Sequence, residues 1–262
     1  MAERFMTREE LIRRLREIRE MGFVPNTRPG NDGGVGNTLE DLLGIQENNL
    51  PLPNGGEWEL KAQRDDTDSL TTLLHKEPGP RGSRIVSRVL LPRYGWPHHR
   101  AGSVHPSDEM SFRQTINAME RTDRGFGIYV DRSSGRLLVS FCAVAVDPRH
   151  GEWLATVQQR AGLGELNPQP YWDLEDLFCA ASRKLHNCFY VRAAVRREGR
   201  QECYHYREMM ILEGLSFERF VEAIERGGIL IDFDARTRHN HGTKVRMRQG
   251  RLPDLYARVT RI

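Results

Sequence analysis

The chain is poor in cysteine and has no long apolar run. Its four cysteines, Cys142, Cys179, Cys188 and Cys203, lie far apart and form no C-x-x-C pair, which excludes a disulfide-built scaffold and a cysteine-rich zinc module; they read as reduced, mostly buried thiols. The longest apolar stretch, Leu137 to Val146, is interrupted by Ser140 and is half the roughly 20 residues that a membrane-spanning helix needs, so no membrane partner is expected. The start, Met1-Ala2-Glu3-Arg4-Phe5-Met6, has no apolar signal core, which makes the cytoplasm the expected location. Internal repeats and low-complexity tracts are absent. The glycine-rich stretch 25–36 is not followed by Gly-Lys-Ser/Thr, which excludes a P-loop. His98-His99 and nearby His105 have neither helical spacing nor a cysteine pair, so they read as loop histidines and not as a zinc site.

What is present suits a folded protein with one large core or two lobes: 262 residues, 38% of them hydrophobic and 8% aromatic. The net charge is only +3, but it is uneven. From Arg236 the chain runs through Arg238, His239, Asn240, His241, Lys244, Arg246, Arg248 and Arg251 with no acid before Asp254. Such a run suits phosphates and base edges, arginine pairing with guanine and asparagine with adenine; a solvated basic hairpin is the plainer alternative.

The local patterns predict interleaved helices and hairpins. Thr7-Arg8-Glu9-Glu10 is a capping box opening a helix to about Arg19, with Leu11, Leu15 and Ile18 on one stripe. A second helix is expected from Asn37 or Thr38 to Leu43, stopped by Gly44 and carrying Glu40. Strands are expected at 57–62, 69–75 and 126–146, the last folded into a hairpin at 131–136. A helix follows at 174–185, then a hairpin pairing 188–197 with 202–212, a helix capped by Ser216, and a strand at 229–233. The class is α+β around a mixed sheet.

One short motif carries chemistry. In Glu57-Trp58-Glu59-Leu60-Lys61, strand alternation puts Glu59 and Lys61 on one face and turns Trp58 and Leu60 into the packing. A carboxylate beside an ammonium can bind a hard divalent cation and steady an attacking water, or it can be an ordinary exposed ion pair.

The order of motifs extends this pair. Gly34-Val35-Gly36-Asn37-Thr38-Leu39-Glu40-Asp41-Leu42-Leu43, Glu47-Asn48-Asn49-Leu50, Pro53-Asn54-Gly55-Gly56-Glu57-Trp58-Glu59-Leu60-Lys61, Ser69-Leu70-Thr71-Thr72-Leu73-Leu74, Lys76-Glu77-Pro78 and Pro80-Arg81-Gly82, then His239-Asn240-His241-Gly242-Thr243 with Arg246, together resemble the MvaI/BcnI family of restriction endonucleases. That family is in turn similar to the mismatch-repair nicking enzyme MutH. The resemblance touches both ends of the chain; residues 100–230 agree only in the order of elements.

The resemblance implies a PD-(D/E)xK nuclease core in a single domain, residues 1–262, with two lobes around a DNA cleft. Catalytic motifs would fall at about 36–145 and the DNA-recognition segment at about 229–262. It implies a magnesium-dependent endonuclease acting as a monomer on a short, nearly palindromic double-stranded DNA site and leaving a 3′ hydroxyl and a 5′ phosphate. A cognate methyltransferase is an implied partner. Glu59 and Lys61 match the E-x-K pair, Glu40 an additional acid, and His239, His241 and Arg246 the recognition segment, with Arg236 a looser match. Lys244 and Arg238 belong to the same basic run and are DNA-binding candidates with it.

The implied metal ligands are Glu59 and the residue at 54. There the family pattern has Pro-Asp, whereas this chain has Pro53-Asn54. An amide offers a neutral oxygen without the charge a hard cation favours. Three explanations stand side by side: a natural variant in which Glu57 or Glu40 compensates, a chain inactivated deliberately, or a protein that binds DNA without cutting it. A MutH-like strand-nicking enzyme is the other alternative, since one active site cuts one strand per encounter.

Overall fold

The computed structural model describes residues 6–28, 33–45, 58–65, 67, 69–80 and 82–262. In chain order its helices are α1 (Arg8–Glu20), α2 (Gly34–Leu43), α3 (Leu91–Tyr94), α4 (Gly151–Ala161), α5 (Leu174–Leu185) and α6 (Phe217–Glu225). Its strands are β1 (Val24–Pro25), β2 (Glu59–Arg64), β3 (Leu70–His75), β4 (Trp96–Pro97), β5 (Met110–Ile116), β6 (Arg124–Asp131), β7 (Arg136–Val146), β8 (Tyr171–Asp173), β9 (Asn187–Glu198), β10 (Gln201–Leu215), β11 (Ile229–Arg236), β12 (His239–Arg248) and β13 (Tyr256–Arg261). The chain divides into two compact units. One comprises Met1–Ser69, Cys179–Arg219 and Gln249–Ile262; the other comprises Leu70–Phe178 and Phe220–Arg248.

The first unit is built on a mixed sheet in the order β1-β10-β9-β2, with β13 also paired to β10. β2 runs parallel to β9 while the other pairings are antiparallel. Thr7 caps α1 as its sequence requires, its hydroxyl accepting from the Glu10 amide at 3.2 Å, a contact worth about 1 kcal/mol. The stripe Leu11, Leu15 and Ile18 is buried against Leu39 and Leu43 of α2 and against Leu60, Phe189, Val191 and Ile211 of the sheet. Each such side chain contributes about 1.5–3 kcal/mol on burial.

Helix α2 starts at Gly34, ahead of the expected Asn37, so part of the glycine-rich stretch is helical. A Cβ at Gly34 would lie 2.7 Å from the Tyr204 hydroxyl; glycine is there because the helix start meets β10 closely. At the other end Gly44 adopts φ 73° and returns its N–H to the helix carbonyls. The β9–β10 hairpin closes over Gly199-Arg200, with Glu198 opposite Gln201.

The second unit holds an antiparallel sheet in the order β3-β12-β11-β5-β4 and a three-stranded sheet, β6-β7-β8. Strand β11 alternates strictly: Ile229, Ile231, Phe233 and Ala235 are buried, and Asp232, Asp234 and Arg236 take the opposite face. The strand extends to Arg236, beyond the expected Phe233, and pairs with β12 across Thr237-Arg238. β5 and α4 were not legible in the sequence. β5 buries the adjacent Ser111 and Phe112, which breaks period two, and α4 buries only Val157, too little for an apolar stripe.

All four cysteines are free; Cys188 and Cys203 are buried, Cys142 is half-buried and Cys179 is exposed. Among the described residues no helix is long and apolar enough to cross a membrane.

Candidate active site and nucleic-acid interface

In the first unit, Leu60 packs toward α1 and α2, so alternation turns Glu59 and Lys61 to the other face of β2. The Lys61 ammonium lies 2.7 Å from Glu59 Oε1, with the Glu59 side chain 1% exposed and that of Lys61 23%. A second ammonium comes from the C-terminal turn of α5: Lys184 Nζ is 3.8 Å from the same oxygen. A carboxylate this deeply buried is retained only where partners compensate its lost hydration.

Strand β9 sets neutral groups beside this pair. The parallel register places Cys188 opposite Glu59 and Tyr190 opposite Lys61. Burial pushes the Cys188 thiol and the Tyr190 and Tyr256 phenols far above their ordinary values. The two phenols are anchored on backbone, Tyr190 donating to the Gln249 carbonyl at 2.9 Å and Tyr256 to the Leu185 carbonyl at 2.7 Å. Glu59, Lys61 and Lys184 thus sit beside neutral thiol and phenol groups, two of which are tied to the backbone.

Glu40 is half-buried on α2, next to Leu39, whose side chain packs in the core. Its neighbour Asp41 is engaged elsewhere: Arg28 and then Thr27 donate to its carboxylate, which holds it below the ordinary carboxylate range. Asn54 and Glu57 lie outside the described residues. Among the described residues no group of three or more His, Cys, Asp or Glu side chains is arranged to hold a metal ion.

In the second unit the basic segment is the β11–β12 hairpin. Its turn is fixed by Thr237, whose amide donates to the Met110 carbonyl at 3.0 Å and whose hydroxyl accepts from the Met110 amide at 2.9 Å. Arg238 occupies the turn at φ 65° and is exposed, as are His239, Asn240 and His241. The two imidazoles pack edge-on at 4.1 Å between centroids. Lys244 and Arg246 alternate onto the face of Asp234 and Asp232, pairing at 3.4 and 3.1 Å. Arg246 also donates to the Leu70 carbonyl at 2.9 Å, and Arg236 pairs with buried Glu109 at 2.9 Å.

The basic run is therefore a set of oriented cations and not a loose tail. The carboxylates that hold Lys244 and Arg246 precede them on β11, and the motif Ile-Asp-Phe-Asp-Ala-Arg could have revealed these two by alternation. On the far side, Glu77 Oε1 accepts from the Thr243 amide at 2.8 Å and its hydroxyl at 3.1 Å, tying the Lys76-Glu77-Pro78 motif to the hairpin. Lys184 and Glu109 had no such local signal, since each meets its partner only through the fold.

A model of the MvaI/BcnI restriction endonuclease family matches residues 12–256. The chain belongs to this family. Two solved structures are similar to it at 23% identity: restriction endonuclease MvaI in complex with its cognate DNA substrate, covering 98% of this chain and 99% of that one at a TM-score of 0.72, and MvaI in the absence of DNA, covering 99% of each at a TM-score of 0.58. No curated protein matches the chain. Membership of the MvaI/BcnI family makes it a DNA endonuclease of the restriction type, and the likeness to MvaI shows a PD-(D/E)xK-type fold.

Proposed function

We propose that this MvaI/BcnI-family protein is a magnesium-dependent, sequence-specific endonuclease of double-stranded DNA, acting as a monomer beside a methyltransferase of the same specificity. The observation that carries the reading is the buried Glu59 carboxylate held between the Lys61 and Lys184 ammoniums at 2.7 and 3.8 Å. Glu59 offers the hard oxygen a divalent cation requires and would hold it with the residue at 54 and a carbonyl of the strand. When bound there, the cation polarises a phosphoryl oxygen and makes a bound water more acidic.

The side chains supply the rest. Lys61 donates a hydrogen bond that orients the attacking water, and Lys184 offsets the negative charge that grows on the phosphoryl oxygens. The water oxygen forms the new bond to phosphorus, the bond to the 3′ oxygen breaks, and that oxygen takes up a proton. The products are a 3′ hydroxyl and a 5′ phosphate.

In the hairpin, Arg246 and Arg236 are held by Asp232 and Glu109 with their outer N–H groups able to meet guanine edges, while His239 and His241 present ring donors from the exposed tip. Arg238 and Lys244 add contacts to the phosphates. Glu40 remains a candidate to support the metal-binding end.

Digestion of a plasmid carrying all short sites, with and without magnesium, tests the reading: defined fragments with magnesium alone support it, and salt-dependent binding without any strand break replaces it with a non-cleaving DNA binder. The single E-x-K pair also favours a definite order of events, in which nicked circles precede linear product. Accumulation of nicked circles alone identifies a MutH-like nicking enzyme.

A further inference from the structure

The histidine-bearing loop between β4 and β5 walls a cavity of about 330 Å³ against the β11–β12 hairpin. Its phosphate donors are His98, His99, Arg100 and His105 from the loop and Arg113 from β5, with Arg236 and His241 of the hairpin, already given to base edges, also lining it. The imidazoles crowd one another, with His98 4.4 Å from His99 and 4.7 Å from His105 between ring centroids.

The local charge is unbalanced. The carboxylates are Asp234, shared by Arg113 at 3.1 Å and Lys244 at 3.4 Å, and Glu109, 3% exposed and engaged by Arg236. Arg100 is exposed and has no carboxylate partner among the described residues. Permanent cations therefore exceed carboxylates before any histidine is protonated.

We propose that this cavity is a phosphate site, filled by a backbone phosphate of duplex DNA and gripped more tightly when His98 is protonated. The proposal rests on the DNA endonuclease reading for the source of the phosphate, but not for the chemistry of the site. Guanidinium and imidazolium groups donate only, and phosphate oxygens only accept. The groups facing His98 are His99 and His105 on its own loop, Glu109 at the entry to β5 and Arg236 on β11. Partial burial, followed by its two histidine neighbours, holds the His98 ring below its ordinary value. A bound phosphate relieves that repulsion, so binding takes up protons and affinity falls as pH rises.

The test measures binding of a labelled 20-base-pair duplex in EDTA at pH 6, 7 and 8, and records the histidine ring resonances of the full chain during titration with the duplex or with inorganic phosphate. The wild type should weaken by about threefold or more between pH 6 and 8. The double variant His98→Gln/His105→Gln should lose most of that dependence and match the wild type at pH 8. Arg100→Gln, an exposed change, should weaken binding about equally at every pH.

Movement of the His98 and His105 resonances with the duplex alone supports a backbone phosphate as the occupant. Movement with both titrants supports a site that also takes free phosphate. An unchanged pH dependence in the double variant, or resonances still with both titrants, overturns the site. Magnesium cleavage by the same preparation separates the two readings: cleavage with an overturned site leaves the endonuclease standing, and resonances that move with phosphate in a protein that never cuts leave the site standing.

Discussion

Glu59→Gln separates a catalytic carboxylate from a structural ion pair. Glu59 is 1% exposed, while Lys61 and Lys184 keep 23% and 35% of their side chains in solvent. Removing one partner of a fully buried pair typically costs about 3–5 kcal/mol, because the other charge is stranded. Here the charges left behind include those of the two lysines, and both reach water. The isosteric amide, moreover, no longer buries a charge. Stability should therefore change by less than about 1.5 kcal/mol and can rise, which a urea midpoint resolves. Cleavage should fall by at least about 100-fold, equivalent to about 2.7 kcal/mol of transition-state stabilisation, while duplex affinity in EDTA holds within about threefold. A loss above about 3 kcal/mol together with loss of DNA binding would refute the reasoning and make the pair structural.

Lys184→Met should lower the maximal cleavage rate about tenfold or more and leave the protein folded; an unchanged rate assigns Lys184 to the surface. Asn54→Asp adds a negative ligand at the expected metal position, so it should lower the magnesium concentration needed for half-maximal cleavage and leave the cut sequence unchanged. If it slows the enzyme, Glu57 or Glu40 is the second ligand. Arg246→Ala should cost about 1–3 kcal/mol on the preferred site and little on random duplex, whereas exposed Arg248→Ala should weaken both alike; equal losses for the two variants on both duplexes would remove base reading from Arg246. In the β6–β7 turn, the Ser133 and then the Ser134 hydroxyl donate to Asp131, lowering its carboxyl to about 2. This lowered value adds stability that is complete above the ordinary carboxylate value and is lost as pH falls through about 2. Asp131→Ala should flatten the acid limb of the unfolding curve, and an unchanged limb would show that the turn contributes nothing.

Some of the molecule follows from neighbouring residues alone. The Thr7 cap, the Leu11-Leu15-Ile18 stripe, the Gly44 stop and the shared face of Glu59 and Lys61 depend on periods of 3.6 and 2 and on turn chemistry, all of which act over a few positions. The family motifs were legible for the same reason, since E-x-K and His-Asn-His-Gly-Thr are short segments. Three other features were not. Gly34 lies in a glycine-rich stretch that fits close backbone approach or mobility alike, and only the fold brings Tyr204, far along the chain, against it. Lys184 meets Glu59 only because α5 ends beside β2, and Glu109 meets Arg236 only because β5 pairs with β11. Side-chain alternation and capping are local and can be read directly. The partners that make a carboxylate buried and charged, or an arginine fixed in direction, are chosen by which distant strands and helix ends the tertiary structure brings together.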